Sequence, residues 1–314
     1  MRVLVTGGAG FIGSNFVQRS LATRQGISIR VLDSLTYAGS LSNLDGVLSN
    51  IDFVHGDVTN SELVDQLVSE SDLVVHFAAE SHNDNSLINA RPFLESNVTG
   101  TFELVQACVK YDVQLHHIST DEVFGDLALS SKERFTEESS YNPSSPYSAT
   151  KAASDMLVRA WVRSFGLRAT ISNCSNNYGP FQHEEKFIPR TILLAARGVR
   201  PKIYGEGLNV RDWIHVDDHI DGVWAVINNG RLGETYLLGS NGERTNLHVA
   251  RQVLKELGLS ESFLEFVNDR PGHDLRYAID ASKASSELGW KPRHQSFEDG
   301  LKSVVNHYLE RTEL

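Results

Sequence analysis

The chain has 314 residues, 40% hydrophobic and 22% charged, enough apolar material for one large domain or two unequal ones with a sizeable core. A formal net charge of -11 argues against non-specific nucleic-acid binding, so the phosphates of any ligand must be met by a few placed basic groups and by backbone N–H groups. No apolar run approaches the roughly 20 residues that span a bilayer, no signal-peptide layout opens the chain, and Cys108 and Cys174 sit in apolar segments without metal spacing, which together predict a cytoplasmic protein with buried free thiols.

In chain order, short apolar runs at 2–6, 29–33, 52–54, 72–77, 114–119 and 168–173 read as strands. They are rich in Val, Ile and Leu and lack clean alternation, as in strands covered on both faces. Stretches 11–24, 60–69, 92–110 and 147–165 read as helices between them. The rhythm predicts an α/β protein with a Rossmann-type doubly wound parallel sheet and a smaller mixed α/β C-terminal region. Segment 119–146 is long and polar and carries Pro143 and Pro146, a length typical of functional loops. Beyond Asn176 the texture changes to turn chemistry, and 201–216 is irregular. Asp217 reads as the N-cap of a helix to about 229. Residues 246–314 hold two or three amphipathic helices and short strands, one at 276–279. The division predicted is 1–175 for a dinucleotide, with 214–240 returning to it, and 176–213 with 241–314 for a second ligand.

The first strand leads into Thr6-Gly-Gly-Ala-Gly-Phe-Ile-Gly13 and a helix. Gly7, Gly10 and Gly13 let the backbone turn tightly and approach a pyrophosphate, which then meets the N–H groups of the helix start, including Phe11 and Ile12. A bare glycine cluster is weak evidence. Asp33 strengthens it, ending the second strand where a carboxylate accepts ribose hydroxyls and repels a 2′-phosphate. NAD, not NADP, is therefore the expected cofactor. Asp57 and Val58 are candidates for the adenine edge, and Ala78 and Ala79 for close passage of the cofactor.

Tyr147 and Lys151 are four apart on a predicted helix and share a face. A free tyrosine, with a pKa near ~10, is a poor base at neutral pH. A neighbouring ammonium and an oxidised nicotinamide would lower that value, letting Tyr147 take a sugar hydroxyl proton. Taken alone, the Tyr/Lys spacing is common and proves little. Behind a dinucleotide cradle it points to hydride chemistry. Asp121 and Glu122, directly after the strand ending at Ser119, add a second proton-transfer pair where open α/β sheets bind ligands.

With these residues the chain resembles the extended short-chain dehydrogenase/reductases and, among them, the nucleotide-sugar 4,6-dehydratases. The resemblance rests further on Asp33-Ser-Leu-Thr-Tyr-Ala-Gly39, His76-Phe-Ala-Ala-Glu-Ser-His82, Ser119-Thr-Asp-Glu-Val-Phe-Gly125 and Asn176-Asn-Tyr-Gly-Pro180. Asn209-Val-Arg-Asp-Trp213, Arg270-Pro-Gly-His-Asp274 and Arg276-Tyr-Ala-Ile-Asp280 extend it over nearly the whole chain. It implies that Tyr147 removes the O4 proton with Thr120 orienting O4, that Glu122 takes the C5 proton, and that Asp121 protonates the departing C6 hydroxyl. The product would be a 4-keto-6-deoxy nucleotide sugar. Asp121 must then be protonated while Glu122 is ionised, so their environments must push their pKa values apart. The resemblance also implies cofactor contact by Asn97, and substrate contact by Ser81, Asn176, Lys186, Arg211, Asn246 and His273. Arg211 could equally be a structural ion pair with Asp212 or Asp217, and His82 and His273 could equally be core or surface histidines.

Asn83 and Asn85 stand where many bacterial members carry Val and Arg, which leaves dTDP-glucose, the expected substrate, open against UDP-glucose. Phe124 replaces the usual Tyr. No metal spacing appears among the twelve histidines. Phe93, Phe102, Val105, Met156, Leu157 and Trp161 form an apolar stripe on two predicted helices, most simply core, while the resemblance implies a homodimer through those helices. Competing readings are a 4-epimerase on the same scaffold, which has no use for the carboxylate pair, and a non-catalytic dinucleotide sensor, which has no use for Tyr147 and Lys151.

Overall fold

The structure, a computed structural model, describes residues 1–269, 273–294 and 296–311. Arg270, Pro271 and Gly272 of one motif above lie outside the described residues. The first half alternates strand and helix: β1 (Arg2–Thr6), α1 (Phe11–Thr23), β2 (Ser28–Asp33), β3 (Asp52–His55), α2 (Ser61–Ser69) and β4 (Leu73–His76). Two short helices follow, α3 (Asn83–Ile88) and α4 (Arg91–Phe93), then a π-helical turn over Leu94–Thr99 and α5 (Gly100–Tyr111). Next come β5 (Gln114–Thr120), a 3-10 turn at Asp121–Phe124, α6 (Pro146–Phe165), β6 (Ala169–Cys174), β7 (Asn176–Tyr178) and α7 (Phe187–Ala196). The chain continues through β8 (Lys202–Tyr204), β9 (Val210–His215), α8 (Val216–Asn229), β10 (Thr235–Leu238) and β11 (Glu243–Thr245). It closes with α9 (Asn246–Glu256), β12 (Glu265–Val267), α10 (Ser282–Leu288) and α11 (Phe297–Arg311).

Seven strands form one parallel sheet in the order β10-β6-β5-β4-β1-β2-β3. This is the doubly wound Rossmann arrangement expected. Its winding reverses between β1 and β4, which opens a crevice beyond their C-terminal ends. Phe16, Val17, Val223 and Trp224 cover one face; Val64, Leu67, Leu104, Val105 and Val158 cover the other. A smaller sheet, β11-β9-β7, and a pair, β12-β8, lie with α7, α9 and α11 around Tyr178, Ile192, Val253 and Leu301.

Several local readings change. The helix predicted over 92–110 is interrupted by the π-helical turn. The N-cap of α8 is His215, not Asp217: the His215 ring accepts the Asp217 N–H at 3.2 Å, and Asp217 sits in the first turn, where a carboxylate suits the helix dipole. The segment 276–279 makes only isolated bridges, Val210 to Arg276 and Phe135 to Ile279. Those bridges order the long 119–146 loop, since Phe135 N–H donates to Ala278 and Leu127 N–H to Arg276. The apolar stripe splits: Phe93 and Val105 are buried, while Phe102 and Met156 are exposed. Both cysteines are free and buried, and among the described residues no helix is long and apolar enough to cross a membrane.

Candidate active site

The cradle requires glycine. Gly7 has φ +70°, and a Cβ there would stand 2.5 Å from the Ala78 nitrogen; at Gly13 it would stand 2.2 Å from the Gly7 carbonyl oxygen. Strand ends β1 and β4 therefore touch through Gly7 and Ala78. Gly10 gives α1 no side-chain cap, so the first turn at Phe11, Ile12 and Gly13 faces the cleft with its N–H groups. Asp33 accepts the Ala9 and Leu35 N–H groups at 2.8 Å each, which fixes its carboxylate at the rim. Asp57, Val58, Ala78 and Ala79 line the same cleft, a cavity of about 450 Å³. Asn97 does not. It is buried behind the wall, where it accepts the Glu80 N–H at 2.9 Å and donates to the Glu80 carbonyl and the Thr150 hydroxyl. It braces the Ala79–Glu80 backbone against α6 and does not face the cofactor position.

At the other end of this cleft, β5 delivers Thr120 and the 3-10 turn delivers Asp121 and Glu122, while α6 brings Tyr147 and Lys151 to the same wall. The Thr120 hydroxyl accepts the Glu122 N–H and faces Asp121 Oδ1, both at 3.3 Å. Below lies Asp155, one turn beyond Lys151, which no motif flagged. Its carboxylate accepts from Ser119 at 2.9 Å, Tyr141 at 2.7 Å and Asn173 at 3.2 Å, with His117 Nε2 at 3.1 Å. Asn173 also donates to the Thr120 carbonyl at 3.0 Å, so this buried network holds the end of β5.

A second cavity, of about 430 Å³, is lined by Ser81, Asn176, Lys186, Arg211, Asn246 and His273 of the expected substrate residues, while Thr120 lines the first. Glu122, Ser81, Asn176 and Lys186 line both cavities, so the two meet at Glu122, with Asp121 on the first cavity's wall. Lys186 Nζ donates to the Ser81 carbonyl at 2.9 Å. Arg211 makes no ion pair with Asp212 or Asp217. It donates to the carbonyls of Val210 and Asp274 and lies 4.2 Å over the Tyr277 ring. Asp212 instead accepts from Ser240 and the Gly242 N–H. His273 also bonds Asp269, and His82 caps α3 through the Asn85 N–H. Arg190, Tyr204 and Tyr277, not singled out beforehand, complete the wall; Asn85 is exposed and lines neither cavity. Phe124 stacks on Phe135 at 5.3 Å in an apolar cluster, where a hydroxyl is not needed.

Among the described residues one group of possible metal ligands, His215, Asp217 and His294, converges outside both cavities. Its donors serve the protein: His215 caps α8 and Asp217 faces Arg19 at 3.5 Å.

The family model described as GDP-mannose 4,6 dehydratase matches residues 4–304. A dTDP-glucose 4,6-dehydratase of Mycolicibacterium smegmatis is 58% identical over 308 residues, 98% of this chain and 93% of that protein. The chain belongs to the nucleotide-sugar 4,6-dehydratase family. DesIV, the dTDP-glucose 4,6-dehydratase of Streptomyces venezuelae, solved with NAD and TYD bound, superposes with a TM-score of 0.96 at 45% identity, covering 100% of this chain and 98% of that one. The UDP-glucose 4-epimerase of Thermotoga maritima, with UDP-glucose, superposes with a TM-score of 0.92 at 27% identity, covering 99% and 100%. The scaffold is thus shared with epimerases, and the distinction lies in the side chains.

In this dehydratase the two carboxylates are unequal. Burial, then Glu122 and Asp212, push Asp121 well above the usual carboxylate range, and its buried Oδ2 has no protein partner. Burial also raises Glu122, but Arg211, Lys186 and a hydrogen bond from Asn83 at 2.8 Å oppose it. Asp121 therefore holds a proton where Glu122 gives it up more readily. Tyr147 is buried as well. Burial first, and Glu122 next, hold its phenol well above its ordinary value, with the Thr120 hydroxyl acting in the other direction. Desolvation dominates here, and burial lowers Lys151 as well.

Proposed function

We propose that this dehydratase converts dTDP-glucose to the 4-keto-6-deoxy nucleotide sugar. The observation that carries the reading is Glu122 on the wall shared by the two cavities, with Asp121 beside it in the first and holding its proton the more firmly of the two. The glycine cradle and the Asp33 carboxylate fit NAD, held by Gly7, Gly10, Phe11, Ile12, Gly13, Asp33, Asp57, Val58, Ala78 and Ala79. When bound, NAD supplies the hydride acceptor for C4 and the donor for C6, with no net oxidation.

The chain's own groups move the protons. Tyr147 takes the O4 proton as a phenolate, which the positive charge of an oxidised nicotinamide would favour over the buried phenol, and Thr120 and Lys151 position it. The resulting ketone acidifies C5–H, which Glu122 removes. Asp121 donates its proton to the departing C6 hydroxyl, water leaves, and C5 regains a proton as C6 becomes the methyl group. The nucleotide diphosphate fits the second cavity, where Lys186, Arg190 and Arg211 supply positive charge and Ser81, Asn176, Asn246 and His273 supply polar contacts. Relatives bearing the dTDP-glucose name support that base over uridine. In this reading 1–175 with 214–240 serve the cofactor, and 176–213 with 241–314 serve the substrate. A homodimer fits the exposed Phe102, Met156 and Phe165 on α5 and α6. Two buried free thiols suit a reducing cytoplasm.

Incubation with dTDP-glucose, UDP-glucose and GDP-mannose, followed by mass spectrometry, tests the substrate. Loss of one water from the dTDP sugar is expected. A 4-inverted hexose with its 6-hydroxyl intact would instead identify an epimerase.

A further inference from the structure

Asn83 opens α3 and is fixed from three sides. His82 caps the helix, the Ser86 hydroxyl donates to the Asn83 carbonyl at 2.6 Å, and Lys186 anchors the adjoining Ser81 carbonyl. Its side chain reaches across the second cavity to the 3-10 turn, and Nδ2 donates to Glu122 Oε2 at 2.8 Å. A carboxylate only accepts, so the N–H end must face Glu122 and the carbonyl end must face away from it. That carbonyl, Oδ1, is buried with no protein partner. Asn176 Oδ1, on the same cavity wall, is buried and unpartnered as well. Two orphaned acceptors beside one base call for a ligand rich in hydroxyl donors.

We propose that Asn83 is a positioning residue for Glu122: its amide N–H holds Oε2, leaving Oε1 to meet the sugar's C5 proton, and its carbonyl accepts a hydrogen bond from a hydroxyl of the hexose. This rests on the reading of Glu122 as the C5 base. Asn83 thereby couples seating of the sugar to the aim of the base that deprotonates it. The other charged or titratable groups facing Glu122 are Asp121 on its own turn, Arg211 on β9, Lys186 before α7, Asp274, Tyr147 on α6, and Tyr277. Unlike these groups, Asn83 is a neutral amide, and it bonds the carboxylate directly.

The test uses the full enzyme with dTDP-glucose, comparing Asn83→Leu, which keeps the volume and loses both bonds, with Asn83→Asp, which places a second carboxylate beside the first. Two rates are read: C4 oxidation, from nicotinamide absorbance in a single turnover, and solvent deuterium entry at C5 of the 4-keto product. For Asn83→Leu the acid limb of the C5 exchange profile moves up by about one pH unit, the scale of one hydrogen bond to a charged group. Asn83→Asp moves it further, and in both the fall in C5 exchange exceeds the fall in C4 oxidation. A residue that merely supports the fold would lower both rates together without moving the limb, and that result overturns the proposal. Glu122→Gln separates the two levels. If it retains C5 exchange, the base assignment fails; if it loses C5 exchange while the Asn83 variants keep the wild-type limb, only the role of Asn83 fails.

Discussion

Lys151 Nζ donates to the Ile118 carbonyl at 2.7 Å, tying the helix that carries Tyr147 to the strand that delivers Thr120. The bond sits beneath the site, with Asp155 one turn further along the helix. It ties the helix of Tyr147 to the strand that leads into the Asp121–Glu122 turn, and each partner can be tested separately.

Tyr147→Phe should slow C4 oxidation by about two to four orders of magnitude, the usual scale for losing a general base. Stopped-flow absorbance of the reduced nicotinamide measures it. Near-wild-type oxidation would remove Tyr147 from the mechanism.

Asp121→Asn combined with Glu122→Gln should block water loss yet leave measurable C4 oxidation, because Tyr147 and Lys151 lie on a different element. Bound reduced nicotinamide then accumulates. Normal yield of the 6-deoxy product from this double variant would contradict the roles given to both carboxylates.

Stability should fall as pH drops below about 6.5. Burial depresses His116 and His219 to about 3. Each is neutral in the folded state and binds a proton in the unfolded state once pH passes below the unfolded value, so the loss spans roughly 6.5 down to 3. The raised Asp121 has the opposite sign: its contribution is complete at low pH and lost as pH rises through its folded value. His219→Gln should therefore flatten the slope by up to about 1.4 kcal/mol per pH unit below pH 6, whatever its cost at neutrality. Thermal melts from pH 7 to 5 provide the measurement, and an unchanged slope would refute the assignment.

Gly13→Ala should weaken NAD binding about ten-fold or more, since the new methyl meets backbone, which cannot swing aside as a side chain would. Titration by protein fluorescence gives the affinity. Unchanged binding would show that the cradle relaxes.

Phe102→Arg with Met156→Glu should convert a dimer to monomers with little loss of fold, because both side chains are exposed, at 37% and 48%. Light scattering on a sizing column decides it. A wild-type chain that runs as a monomer would remove the dimer reading.

The sheet and its crevice were legible because buried parallel strands write themselves as dense apolar runs, and because Gly7, Gly13 and Asp33 have few other uses at those spacings. The carboxylate turn was legible for a similar reason: two adjacent acids after a central strand are costly unless used. Asn97 misled because its neighbourhood, not its pattern, decides what its amide faces. Asp155 was invisible because a single Asp on an amphipathic helix looks like solvent-facing charge until the strands behind it are placed. Arg190 and Tyr204 come from the variable-textured region after Asn176, where tertiary contacts, not periodicity, choose the cavity wall. The depth at which Tyr147 is buried was not legible, because sequence shows a neighbouring charge but not the packing around it.

The edge strand β10 lies beside β6, yet between them the chain makes β7, β8 and β9 elsewhere. A fragment stopped at residue 175 would leave β6 as a bare border with a row of unsatisfied backbone groups, open to pairing with any neighbouring copy. The seventh strand of the sheet is therefore supplied only by chain synthesised after β7, β8 and β9.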